Sequence, residues 1–172
     1  DPNHGFFPAY PTGPDPKQIE NALEAILSAS FPIVICGGGI LLAGGEAEFL
    51  QFVEFLDLAV ATTISGQGSI PETHPNCIGV IGSNGGVPET RDIVERADLA
   101  VFIGCRAGSV TTELWRHPKK STRIVHIDSD PTVISASYDT EIAVVSDARL
   151  AVTAMNNILI GNSSKPKRFG GA

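Results

Sequence analysis

Arg106 stands just past an apolar run, LAVFI at positions 99 to 103, and the pair Gly104-Cys105. A guanidinium at the end of a strand can pair bidentately with a phosphate, and its competing use is a salt bridge to Asp128 or Glu113. Asp128 and Asp130, in the run HIDSDP, close a second strand-like segment. Their carboxylates suit ribose hydroxyls, or the cap of a turn opened by Pro131. Glycines cluster at the same kind of junction: IVICGGGILLAGG from Ile33, and two loops between Leu58 and Gly86, each follow apolar residues. Exposed amides at such a turn attract phosphate where a helix begins.

The dinucleotide fingerprint is incomplete. With Gly37 and Gly39 as its first two glycines, Leu42 stands where the third belongs, and the following strand ends in Thr62-Thr63 rather than an acid. GxxxxGK[ST], GxSxG and HExxH are absent from the chain. Ser65, Ser69, Ser83 and Ser109 lie in loops without a cue for an activating base, so turn hydrogen bonding is their expected use. His4, His74, His117 and His126 share no metal-ligand spacing, and His126 inside TRIVHIDSD reads as a core imidazole. Cys36, Cys77 and Cys105 are too sparse for paired zinc-ligand units and are expected to be reduced, buried thiols.

These residues need a scaffold that brings several strand ends together. Asp15 and Pro16 supply a cap and first-turn proline, and Ile19, Ala22, Leu23, Ile26 and Leu27 follow at helical spacing. Strands are expected at 32–36, 58–62, 76–80, 99–103, 123–127 and 141–145. Helices are expected around Phe49 to Leu56, from Pro88 to Ala97, and after Ser146 or Asp147, with a short helical turn at Pro131. Alternating strands and helices, with strands of unbroken hydrophobicity, specify a doubly wound α/β fold: about six strands, mainly parallel, helices on both faces. Ligands on such sheets sit beyond the carboxyl ends of the strands.

The chain has 172 residues, 42% of them hydrophobic, with a mean hydropathy of +0.13, so one sizeable core is expected. Its net charge of −7 argues against a sequence-independent nucleic-acid surface. No apolar run is long enough to span a bilayer and the first residues do not form a signal peptide, so a cytoplasmic protein is expected. Five prolines in the first sixteen residues read as a linker over 1–14, and NSSKPKRFGGA closes the chain as a linker or disordered tail over 161–172.

Taken in order, FPIVICGGG, VATTISGQGSIPETHP, GVIGSNGG, ERADLAVFIGCRAG, RIVHIDSDP and VVSDARLAV resemble the central domain of thiamine diphosphate-dependent enzymes of the acetolactate synthase type. The resemblance covers about Pro14 to Ile160, giving a central domain over 15–160. It implies a parent that acts on 2-oxo acids with thiamine diphosphate and magnesium, bound by flanking pyrimidine-binding and diphosphate-binding domains. It also implies a homodimeric or homotetrameric parent and a fragment inert by itself. Members of the family bind FAD or ADP in this domain, or no nucleotide. Carried over by position, such a ligand would meet Gly37, Gly38, Gly39, Thr63, Ile64, Ser65, Gly82, Ser83, Asn84, Gly104, Arg106, Asp128 and Asp147. Flavin-binding members continue the arginine as Phe-Asp-Asp-Arg, whereas Ala107, Gly108, Ser109 and Val110 follow Arg106, and Val133 replaces a glutamate. Weak FAD binding or none is therefore expected, while ADP or a CoA-like ligand asks less of those side chains. The alternative is a stand-alone nucleotide-binding or regulatory domain of related fold.

Overall fold

The computed structural model describes residues 10–161 and 168–170. Helix α1 (Pro16–Ser28) starts where the Asp15 carboxylate accepts the Gln18 N–H at 3.0 Å, and it turns Ile19, Ala22, Leu23 and Ile26 inward. Strand β1 (Pro32–Cys36) is buried throughout. One turn of helix, α2 (Gly39–Leu42), breaks at Gly44, whose φ is +60°, and α3 (Glu46–Leu56) follows. Then come β2 (Ala59–Thr62), a 3₁₀ turn at Ile64–Gly66, β3 (Cys77–Val80), α4 (Pro88–Arg96), β4 (Leu99–Ile103), β5 (Arg123–Asp128), β6 (Ile142–Val145) and α5 (Ala148–Gly161). The short helical turn expected at Pro131 is a run of turns in which Val133 N–H donates to the Asp130 carbonyl at 3.3 Å, while the Asp130 carboxylate takes both the Thr132 N–H and its hydroxyl.

All six strands are parallel, in the order β3-β2-β1-β4-β5-β6. Sequence direction reverses between β1 and β4, and that is where such sheets leave a crevice. Alternation along the strands sends Val34, Cys36, Val101 and Ile103 to one face, against α1, α3 and α5. Ile33, Ile35, Ala100 and Phe102 face the other way, under α4 and the segment that follows β4. The helices therefore cover the two faces unequally.

Polar clamps fix the helices to the sheet. Asp98 accepts the amides of Ser30 (2.6 Å) and Phe31 (2.8 Å), tying the start of β4 to the turn before β1. Burial opposes its charge, yet these amides outweigh that and hold its carboxyl below the usual range. Buried Asn156 donates to the Glu48 carbonyl at 2.9 Å, pinning α5 to α3.

Of the expected linker over 1–14, residues 1–9 lie outside the described residues. Its remainder is fastened, since the Thr12 carbonyl accepts from Asp147 N–H at 2.8 Å and Ser146 Oγ at 3.1 Å. Residues 162–167 and 171–172 of the expected tail are also outside the description, but Phe169 donates to the Leu56 carbonyl at 2.9 Å and packs against the core.

Candidate functional site

At the switch point the turns after β1 and β4 press backbone to backbone. The Gly37 N–H donates to the Ile103 carbonyl at 2.9 Å and the Gly39 N–H to the Gly104 carbonyl at 3.0 Å. A Cβ on Gly37 would lie 2.1 Å from Gly104 O, and one on Gly39 would lie 2.5 Å from Gly104 Cα. Gly66 makes the matching approach from the turn after β2, where a Cβ would sit 2.3 Å from Cys36 O. These glycines are needed for close packing, and all three of their amides are already spent, that of Gly66 on the Thr63 carbonyl at 2.9 Å. The Gly37 and Gly39 amides are therefore not free to meet a phosphate, and α2 has only one turn over which to sum a dipole.

Above this floor opens a crevice of about 760 Å³, within the range of small-molecule sites. It is lined by Gly37, Gly38, Gly39, Thr63, Ser65, Gly104, Arg106, Asp128 and Asp147, so the topology gathers most of the expected set. Ile64, Gly82, Ser83 and Asn84 do not line it. Gly82 and Ser83 act one layer out: Ser83 N–H donates to the Val110 carbonyl at 2.8 Å, and a Cβ on Gly82 would lie 2.6 Å from that oxygen. They hold Val110 and Thr111, which form part of the wall. Neither Val110 nor Thr111 carries a sequence signal for this position, since the contact depends on how two loops meet.

Arg106 is exposed and makes no ion pair or hydrogen bond among the described residues. Glu113, one of its two expected partners, pairs with Arg91. Asp128 is 8% exposed, and its Oδ1 accepts the Asp130 N–H at 3.0 Å. Asp147 caps α5 through Leu150 N–H at 3.0 Å. The Thr132 hydroxyl and amide hold the Asp130 carboxyl below its ordinary range, so that acid is committed to its turn.

His126 supports the floor from below. Its Nε2 lies 2.8 Å from the Cys105 carbonyl, an acceptor only, so Nε2 carries the proton. Burial pushes its pKa down, against the opposing effects of that carbonyl and of Asp128. Burial also pushes the Cys36 thiol up to about 12 and the Cys105 thiol up to about 11, so neither is a thiolate nucleophile at neutral pH. All three cysteines are free; Cys36 and Cys105 are buried as expected, whereas Cys77 is only half-buried.

Fold and crevice define a doubly wound α/β module with an open switch point. Residues 19–155 match the family "Thiamine pyrophosphate enzyme, central domain", and the chain belongs to that family. It is 38% identical over 135 residues to a probable acetolactate synthase large subunit of Methanococcus aeolicus, covering 78% of this chain and 22% of that protein. It is 33% identical over 147 residues to the acetolactate synthase isozyme 3 large subunit of Escherichia coli (strain K12), covering 86% of this chain and 25% of that one. Benzoylformate decarboxylase from Polynucleobacter necessarius shares the fold, with a TM-score of 0.70 at 22% identity over 92% of this chain and 30% of its own. The chain thus spans about a quarter of the length of the relatives it matches.

Proposed function

We propose that this chain is the middle module of a thiamine diphosphate enzyme that decarboxylates or ligates 2-oxo acids, or transfers acyl groups, and that the module alone carries no chemistry. The observation that carries the reading is the family match over residues 19–155 on a fold that leaves one glycine-floored crevice at its switch point. Thiamine diphosphate supplies a carbanion equivalent in such enzymes, and its diphosphate is held through magnesium. The residues here do not fit that group: no cluster of three or more His, Cys, Asp or Glu side chains suited to a metal occurs among the described residues. The divalent ion would need oxygen donors from elsewhere in the parent. Calorimetry of this chain with thiamine diphosphate and magnesium is expected to show no saturable heat. Micromolar binding, or 2-oxo acid decarboxylation above a buffer control, would overturn the reading.

A second use of the crevice is favoured by one observation, an unpaired Arg106 that lines the same crevice as Asp128. In this use Arg106 pairs with a phosphate of an adenine nucleotide and Asp128 accepts ribose hydroxyls. ADP is then expected to raise the melting temperature with the logarithm of its concentration once that exceeds Kd, and Arg106→Ala to weaken binding by about 1.5 to 3 kcal/mol. FAD is expected to bind weakly or not at all, because Ala107 to Val110 lack the acids and second cation of flavin-binding members. An ADP shift that survives Arg106→Ala would remove Arg106 from the site.

A further inference from the structure

Asparagine followed by glycine occurs once in this chain, at Asn84-Gly85. The pair stands exposed in the turn between β3 and α4. Neither the Asn84 carboxamide nor the Gly85 N–H makes a hydrogen bond among the described residues. Gly85 has a φ of +81° and no side chain to shield its nitrogen.

The other described asparagines are protected. Cys77 N–H, the amide after Asn76, donates to the His74 carbonyl at 2.9 Å, and the Asn76 carboxamide itself donates to Asp57 Oδ1 at 2.9 Å. Asn21 lies inside α1, and Asn156 and Asn157 lie inside α5, where the following amide belongs to the helix. Buried Asn156 is held further by the Glu48 carbonyl. Asn84 alone among them combines an open carboxamide with an uncommitted amide one residue on.

The turn that carries this pair also holds the crevice wall. Ser83 N–H donates to the Val110 carbonyl at 2.8 Å, and Val110 lines the crevice. Gly82 and Gly86 meet backbone to backbone on either side of Asn84, since a Cβ on Gly86 would lie 2.3 Å from Gly82 O. Arg91 Nη2 reaches back to the Gly86 carbonyl at 3.5 Å. A turn closed this tightly has no room for a longer main chain.

We propose that Asn84 is a site of spontaneous deamidation, and that its isoaspartate product releases the Ser83 brace from the crevice wall. Hydroxide takes the proton from the Gly85 nitrogen, and the nitrogen lone pair forms a bond to Asn84 Cγ. The Cγ–Nδ2 bond breaks, Nδ2 leaves as ammonia after taking a proton from water, and a five-membered succinimide remains. Water then opens the ring. Cleavage between Cγ and the Gly85 nitrogen gives aspartate; cleavage at the Asn84 backbone carbonyl gives isoaspartate, whose main chain runs through Cβ and Cγ and is one carbon longer. Both products replace a neutral carboxamide by a carboxylate, so charge separates converted from fresh protein.

Peptide mapping of the folded chain, kept at pH 6 and at pH 8.5, tests the chemistry. Asn84 is expected to convert to aspartate and isoaspartate, faster at the higher pH, while Asn21, Asn76, Asn156 and Asn157 keep their amides. An Asn84 that stays intact when folded over a period in which the same chain in urea converts it, or conversion of the other four at an equal rate, would overturn the site. Hydrogen exchange at the Ser83 amide tests the consequence. It is expected to be at least about tenfold faster in the isoaspartate form than in fresh protein, as the loss of one hydrogen bond predicts. Asn84→Asp carries the charge without the extra carbon and is expected to keep the slow exchange. Unchanged exchange in the isoaspartate form, or exchange equally fast in Asn84→Asp, would overturn release of the brace by a lengthened main chain.

Discussion

Among single residues, His126 does the most for the crevice floor without lining it. Its ring is 2% exposed, 5.6 Å from Phe102 between ring centroids, and holds the Cys105 carbonyl just before Arg106. Asp128 is the charged group that acts on it, and Cys105 Sγ, at the same turn, is kept neutral by its raised pKa. Because burial depresses the folded-state pKa below the ordinary 6.5, the unfolded chain binds the proton more readily. Stability is therefore complete above about pH 6.5 and falls as the pH drops from there toward the folded pKa, by at most about 1.4 kcal/mol per pH unit from this one group. His126→Gln keeps a donor for the Cys105 carbonyl and removes the titration. Denaturant unfolding at pH 7.5 and pH 5 should show a smaller loss on acidification for that variant than for the wild type; equal losses would assign the pH dependence elsewhere.

Between elements, the decisive contact joins the turns after β1 and β4. Gly37 and Gly39 are required there by the nearness of Gly104, whereas Gly108, a few residues further on, has nothing within 4 Å of where its Cβ would be. Gly37→Ala should cost at least about 1 to 3 kcal/mol, the usual range for overpacking, because the atom it strikes is backbone and cannot rotate away. Gly108→Ala should change stability by no more than about 0.5 kcal/mol. Urea midpoints of the two variants test the distinction, and equal effects would mean that the two turns do not meet as described. The same contact orders the site: by spending the Gly37 and Gly39 amides on the sheet, it leaves Arg106 as the principal unpaired positive group at the crevice.

For the whole molecule, the apolar surface left exposed bears on self-association. A core divided between two faces of a six-stranded sheet is sufficient for a single domain, so the apolar side chains left exposed are surplus to folding. The exposed Leu114 and Trp115 fall short of the roughly 1,200 Å² that a stable interface buries, so by themselves they support only weak self-association. Sedimentation at low micromolar concentration should find this chain monomeric or in weak monomer–dimer exchange. A tight tetramer under those conditions would show that this module assembles by itself.

Much of the architecture was legible from the amino-acid order because its causes are local. Unbroken apolar runs at 32–36 and 99–103 specify strands buried on both faces, Asp15 with Pro16 starts α1, Asp147 caps α5, and glycines at several strand ends foretell a crevice on one edge. Each of these signals lies within a few residues of what it controls. The partners of particular groups were not legible, because they depend on β1 lying beside β4 and on where two long loops meet. Only the tertiary structure decided that the Gly37 and Gly39 amides are consumed, that Glu113 pairs with Arg91 and leaves Arg106 free, and that Gly82 and Ser83 brace the crevice wall without lining it. It alone decided the left-handed φ values at 113–115, where Arg91 reaches from α4 to Glu113 and the Thr112 hydroxyl accepts Trp115 N–H.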